Sequence, residues 1–288
     1  MESLIQQTRT VVSLGLLFGL LVACATSSPR HVEPSSGKEN PVEEEDSSIL
    51  TRRASPPDLT IPYGADADQV IDMRYGDQRA TQRPLVLLLH GGFWRPKYDR
   101  VHTAPMAVAL ASAGWTVATA EYRRIPGDPD ATLQDISRAF EALPANVTHH
   151  DGRIVAIGHS AGGHLALWLA ATRANPGLAG SLALAPVADL TLAHSLNVGS
   201  GAVAAFLGEH PERRADVNPR QLAAPGIPVT IVHGEDDDTV PIAVSDSYVA
   251  THPNVRLVRL KQTRHFAVID PLSTAWPTVV AELEQLSR

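Results

Sequence analysis

Residues 153–168 read R-I-V-A-I-G-H-S-A-G-G-H-L-A-L-W. Residues 154–158 form an apolar, β-branched run of strand length, and from Ala161 to Ala174 the apolar spacing is that of a helix. Between them one serine stands between two glycines, as Gly158-His159-Ser160-Ala161-Gly162. A serine there either caps the helix or is raised on a strained strand-to-helix turn as a nucleophile. The pentapeptide alone leaves both readings open, so the rest of the chain has to supply the partners.

Working outward, the same alternation recurs. Residues 70–75, 85–90, 116–121, 181–184, 229–233 and 255–260 also read as strands, and residues 104–113, 133–143, 242–250 and 274–286 as helices. The runs at 85–89 and 229–232 are almost continuously apolar, which is the pattern of strands covered on both faces. This predicts an α/β fold with a mostly parallel central sheet and helices on both faces. At 288 residues and 44% hydrophobic content the chain can bury one sizeable core. A net charge of −7 without a basic stripe argues against nucleic acid as a partner. The single cysteine, Cys24, excludes a disulfide framework and a thiolate metal cluster.

In open parallel sheets, functional groups gather beyond the carboxyl ends of the strands. The residues that follow the predicted strands are His90-Gly91-Gly92, Glu121-Tyr122-Arg123-Arg124, Ser160, Asp236-Asp237-Asp238 and His265. A serine hydroxyl needs a base, and a histidine base needs a carboxylate to fix its tautomer. Ser160 and His265 fit the first two parts; the residues alone leave Asp236, Asp237 and Asp238 open for the third. Glycines at Gly91 and Gly92 let backbone N–H groups approach an oxyanion, with donors expected from Gly92 or Phe93 together with Ala161. His90 is read as the anchor of that loop, Glu121 to Arg124 as structural ion pairs, Asp189 as a cap, and His159 and His164 as packing residues. His149-His150-Asp151 precedes a strand at the opposite rim, and no H-E-x-x-H helix occurs, so neither a metal nor a cofactor is expected.

The segments H-G-G-F-W (90–94), E-Y-R-R (121–124), G-H-S-A-G-G-H-L-A-L-W (158–168), L-A-P-V-A-D-L (184–190), H-G-E-D-D-D-T-V-P (233–241) and H-F-A-V-I-D-P (265–271) follow one another in this order. On them, residues 70–288 resemble an α/β-hydrolase of the esterase/lipase-like and kynurenine-formamidase-like group. The resemblance implies the α/β-hydrolase fold with a short cap insertion, placed at residues 185–228 and expected to shape the pocket. It implies a triad of Ser160, Asp237 and His265, since the H-G-x-x-D-x-x-V-P pattern puts the carboxylate at Asp237. The implied activity is cleavage of a carboxylic ester through an acyl-enzyme. An arylformamidase, another amidase or a small peptidase remains the alternative, and a non-catalytic tethered binding protein stands behind these. The expected partner is a small ester or amide; no protein partner is indicated.

Residues 1–23 read as a signal peptide. Their apolar run, 11–22, is short for a membrane span. It ends in Leu21-Val22-Ala23-Cys24, which resembles the bacterial lipobox and makes Cys24 the expected lipidation site. Residues 24–61, rich in Ser, Pro and Glu, read as a disordered tether, leaving 62–288 as the hydrolase domain. The implied location is the cell envelope, lipid-anchored, on the periplasmic side of the outer membrane if the cell is Gram-negative.

Overall fold

The computed structural model describes residues 47–173 and 177–288. Cys24 and the segments read as a signal peptide and as the first part of a tether lie outside the described residues. Eight strands are described, β1 (Leu59–Pro62), β2 (Val70–Arg74), β3 (Leu85–Leu89), β4 (Val117–Ala120), β5 (Ile154–His159), β6 (Leu178–Leu184), β7 (Val229–Gly234) and β8 (Arg256–Leu260). They form one sheet in the order β1-β2-β4-β3-β5-β6-β7-β8. β1 and β2 pair antiparallel, as do β2 and β4; every later pair is parallel. This is the α/β-hydrolase fold that the resemblance implies.

The alternation of side chains along each strand divides the core into two layers. Leu85, Leu87 and Leu89 of β3 point to one layer, and Val86 and Leu88 to the other. The first layer is covered by α2 (Pro129–Asn146), α3 (Ala161–Thr172) and α6 (Ala243–Thr251), through residues such as Ile136, Phe140, Leu165 and Tyr248. The second is covered by α1 (Ala104–Ser112) and α7 (Trp276–Leu286), through Met106, Leu110, Val279 and Leu283. Each fully buried leucine in these layers contributes roughly 1.5–3 kcal/mol of transfer free energy.

The parallel registers bring the functional strand ends level. Leu89 of β3 lies opposite Gly158 of β5, His159 opposite Leu184 of β6, Leu184 opposite Val232 of β7, and Gly234 of β7 opposite Leu260 of β8. The loops that leave these ends therefore meet along a single rim.

Folded structure begins before Pro62, which moves the predicted end of the tether. Residues 48–50 form a 3-10 turn whose Ile49 is buried beside Met106 and Leu110, and β1 adds an edge strand to β2. The Ser/Pro-rich composition hid this, because one buried isoleucine and a mostly exposed four-residue edge strand leave no periodicity to read. Between β6 and β7 the chain inserts α4 (Leu190–Ser195), α5 (Ala202–Leu207) and two 3-10 turns, in the region read as the cap.

Candidate active site

Ser160 occupies the junction of β5 and α3 with φ 55° and ψ −117°, a left-handed conformation that a non-glycine residue enters only under constraint. Its N–H continues the sheet ladder to Leu184 O (2.9 Å), and its C=O accepts from the N–H groups of His164 and Val187. The flanking glycines are fixed by close approach. A Cβ on Gly158 would lie 2.0 Å from Gly162 O, and one on Gly162 would lie 2.1 Å from Leu89 O. No side chain fits at either position, so the serine is held up where two backbones cross.

His265, in the loop after β8, places Nδ1 2.7 Å from Asp237 Oδ2 in the loop after β7. Asp237 Oδ1 accepts the N–H groups of Thr239 (3.0 Å) and Val240 (2.8 Å). His233 Nε2 lies 3.2 Å from Asp237 Oδ2 and 2.9 Å from Val240 O, both acceptors, so that nitrogen carries a hydrogen. Burial alone would raise the Asp237 pKa. The His265 charge and the hydrogen bonds from His233 and His265 outweigh it and hold the carboxyl below the ordinary carboxylate range. Asp236 and Asp238 are exposed, and Asp238 pairs with Arg264 (3.1 Å). Of the three aspartates that the residues left open, the one facing His265 is Asp237.

Ser160 and His265 line one small cavity of about 50 Å³, together with Leu50, Gly92, Phe93, Tyr98, His102, His159 and Phe266. The first loop of the rim, after β3, runs through three consecutive positive φ angles, at Gly92 (109°), Phe93 (57°) and Trp94 (53°). Ala161 is the first residue of α3, where an N–H finds no acceptor inside the helix. Gly92, Phe93 and Ala161, the residues expected to form an oxyanion hole, thus all adjoin the serine.

Behind the loop lies a buried polar cluster. His90 Nε2 lies 2.9 Å from Glu121 Oε1 and Nδ1 lies 2.8 Å from Gly91 O, and the ring stacks on Tyr122, whose hydroxyl donates to His90 O (2.6 Å). Arg124 pairs with Glu121 as well, and Arg100 N donates to it (3.0 Å). Burial, reinforced by the Arg124 charge, lowers the His90 pKa to about 3 and keeps the ring neutral. Asp189 caps α4 by accepting from the N–H groups of Thr191 and Leu192. His90, Glu121 and Asp189 are thus structural, as their sequence contexts suggest.

Two expectations are corrected. None of the described residues lining the Ser160 cavity comes from 185–228. That insertion instead backs the loop after β3: Gly199 packs on the Phe93 ring, Arg95 donates to Gly199 O, and Phe206 stacks on Trp94. Nor is His159 only a packing residue. It lines the cavity, its Nε2 donates to the backbone carbonyl of His265 (3.0 Å), and the two rings are 4.5 Å apart. Burial, then the neighbouring His265 charge, drives its pKa well below the usual histidine value, so it bonds as a neutral ring. Leu50, Tyr98, His102 and Phe266 were not singled out by sequence. They reach the serine only through tertiary packing, and no spacing from Ser160 marks them. Among the described residues no group of His, Cys, Asp and Glu is arranged to hold a metal ion.

The family model described as BD-FAE matches residues 71–251. Kynurenine formamidase from Salmo salar is 30% identical over 115 residues, covering 40% of this chain and 38% of that protein. Esterase LipC from Mycobacterium tuberculosis is 24% identical over 224 residues, covering 66% of this chain and 53% of that protein. The chain thus spans about half or less of the length of these curated relatives. Among solved structures, a truncated form of a carbohydrate esterase from gut microbiota matches with a TM-score of 0.70 at 16% identity. That match covers 81% of this chain and 99% of that one, and shows a shared fold.

Proposed function

The chain belongs to the BD-FAE family of esterase-like α/β-hydrolases, and from that premise we propose that it is a serine hydrolase cleaving carboxylic esters through Ser160, His265 and Asp237. The observation that carries the reading is the Asp237–His265 hydrogen bond (2.7 Å) in a histidine that shares a small cavity with a strained, buried serine.

In this reading Ser160 Oγ attacks the substrate carbonyl carbon while His265 Nε2 takes the hydroxyl proton. Asp237 holds Nδ1–H and stabilises the imidazolium. The negative charge on the carbonyl oxygen meets N–H groups from Ala161 and from Gly92 or Phe93, each worth roughly 3–4 kcal/mol of barrier. The C–O bond to the alcohol breaks as His265 returns the proton to the departing oxygen. Water then gives its proton to His265 and its oxygen to the acyl carbon, and the Ser160–acyl bond breaks as the proton goes back to Oγ. The books balance as ester plus water to acid plus alcohol.

A formamidase or amidase reading uses the same steps with a nitrogen leaving group, and the kynurenine formamidase relatives favour keeping it as the second. A fluorophosphonate probe should label the folded protein at Ser160 and leave Ser160→Ala unlabelled; folded protein that takes no label would instead support a non-catalytic binding role. Rates on p-nitrophenyl esters against N-formylkynurenine separate esterase from formamidase. The Leu21-Val22-Ala23-Cys24 segment supports a lipid-anchored envelope location for this activity, and fatty-acid analogue labelling that survives Cys24→Ala would remove it.

A further inference from the structure

Three residues lining the Ser160 cavity, Leu50, His265 and Phe266, lie outside the residues that the family model matches, and Leu50 alone comes from the N-terminal side. Leu50 lines the cavity from the 3-10 turn Ser48–Leu50, which precedes the matched region 71–251. The turn is fastened on both sides of Leu50. Ile49 is 1% exposed, packed in the core layer under α1. The Arg52 guanidinium makes two hydrogen bonds to Asp270 (2.5 and 2.8 Å) and a third to Ser48 Oγ (3.1 Å). Asp270 belongs to the same 265–271 loop as His265, so the strap is tied to the loop that carries the base.

We propose that this N-terminal strap is the specificity wall of the site, and that Leu50 sets the longest acyl chain the enzyme accepts. The inference rests on Ser160 being the nucleophile. About 50 Å³ holds only a few water-sized groups, enough for the hydrogen or methyl that a formyl or acetyl ester carries on its reacting carbon and too little for a medium chain. The acyl part is assigned to this space for a kinetic reason. The alcohol must leave and water must enter while the acyl group is still bonded to Ser160, so the more enclosed space suits the group that stays. With Phe93, Tyr98, His102 and Phe266 around it, Leu50 is the aliphatic side chain among the described lining residues, and shortening it opens the cavity toward the strap.

The test uses the full chain and p-nitrophenyl acetate, butyrate, hexanoate and octanoate, with kcat/KM compared as a ratio to acetate. The wild type should fall at least a hundredfold from acetate to hexanoate. Leu50→Ala should raise the hexanoate-to-acetate ratio at least tenfold, and Leu50→Phe should lower the butyrate-to-acetate ratio. Shifts of opposite sign in the two variants cannot come from a damaged fold. Arg52→Ala, which frees the strap from the 265–271 loop, should move the ratio in the same direction as Leu50→Ala. An unchanged chain-length profile in both Leu50 variants overturns the strap proposal while leaving the serine hydrolase reading intact. So does a change confined to alcohol length, read with methyl to hexyl acetates, which would place the leaving group in this space. Absence of Ser160-dependent turnover on every ester removes the premise, and the proposal with it.

Discussion

At the scale of single residues, the carboxylate beside His265 is discriminated by its hydrogen bonds. Asp237 Oδ1 is committed to the N–H groups of Thr239 and Val240, leaving Oδ2 as the oxygen that faces His265 Nδ1. In Asp237→Asn the side-chain oxygen would stay with those two donors and the NH2 would turn toward Nδ1. A donor facing Nδ1 forces the proton onto Nε2, where the ring can no longer accept from Ser160. The expected result is a fall in kcat of about ten-thousandfold, by analogy with the same change in a serine protease. Asp236→Asn and Asp238→Asn, both exposed, should stay within about twofold of wild type, as expected of surface changes away from the chemistry. Steady-state kinetics on one p-nitrophenyl ester decides it, and a large loss at Asp236 or Asp238 would reassign the carboxylate.

At the scale of elements, the β5–turn–α3 unit depends on the missing Cβ atoms more than on the serine. Gly162→Ala would push a methyl to 2.1 Å from Leu89 O and 2.5 Å from His90 O, both backbone atoms of β3 and the loop after it. Either α3 or the loop must move, at a cost of about 3 kcal/mol. Gly152, with φ +95° and open space where its Cβ would go, offers the contrast: Gly152→Ala should cost only about 1 kcal/mol, from the backbone conformation alone. Urea unfolding of the two variants measures both, and equal costs would mean that α3 slides without resistance. The same unit shows what sequence could convey. The central strands were legible because burial on both faces makes them continuously apolar, and Ser160 was legible because it follows such a strand; His265 follows the partly exposed edge strand β8, and Asp237 stood apart from Asp236 and Asp238 only through the H-G-x-x-D-x-x-V-P resemblance. Helix α2 begins four residues before the apolar pattern does, since its start is set by the Asp128 cap and Pro129, while the large apolar side chains begin at Leu133. β1 was invisible because Leu59–Pro62 is an edge strand with mostly exposed side chains. Leu50 and His102 were invisible as cavity residues for a different reason: their role depends on which distant loop they land against.

At the scale of the whole molecule, the rim where Ser160 and His265 meet is also where histidines with lowered pKa values gather. His90 at the end of β3, His102 before α1, His159 at the end of β5 and His164 in α3 all have pKa values lowered, chiefly by burial. Each is held below its unfolded value near 6.5, so the unfolded chain takes up protons first as the pH falls. Stability contributed by keeping them neutral is fully present above about pH 6.5 and is lost progressively as the pH drops toward the folded values. His164 isolates the effect. Its Nε2 donates to Val217 O (2.9 Å), its Nδ1 is buried without a partner, and Trp94 and Phe206 pack edge-on to the ring. Protonation would bury an N–H with no acceptor, which is why its pKa falls to about 4. Between pH 7.5 and pH 5 this one side chain should remove about 2 kcal/mol of unfolding free energy. His164→Gln keeps a donor for Val217 O but cannot titrate in this range. It should therefore be less stable than wild type at pH 7.5, yet lose about 2 kcal/mol less on acidification. Urea unfolding of both proteins at the two pH values provides the measurement, and parallel losses in wild type and His164→Gln would show that His164 does not carry the acid sensitivity of this rim.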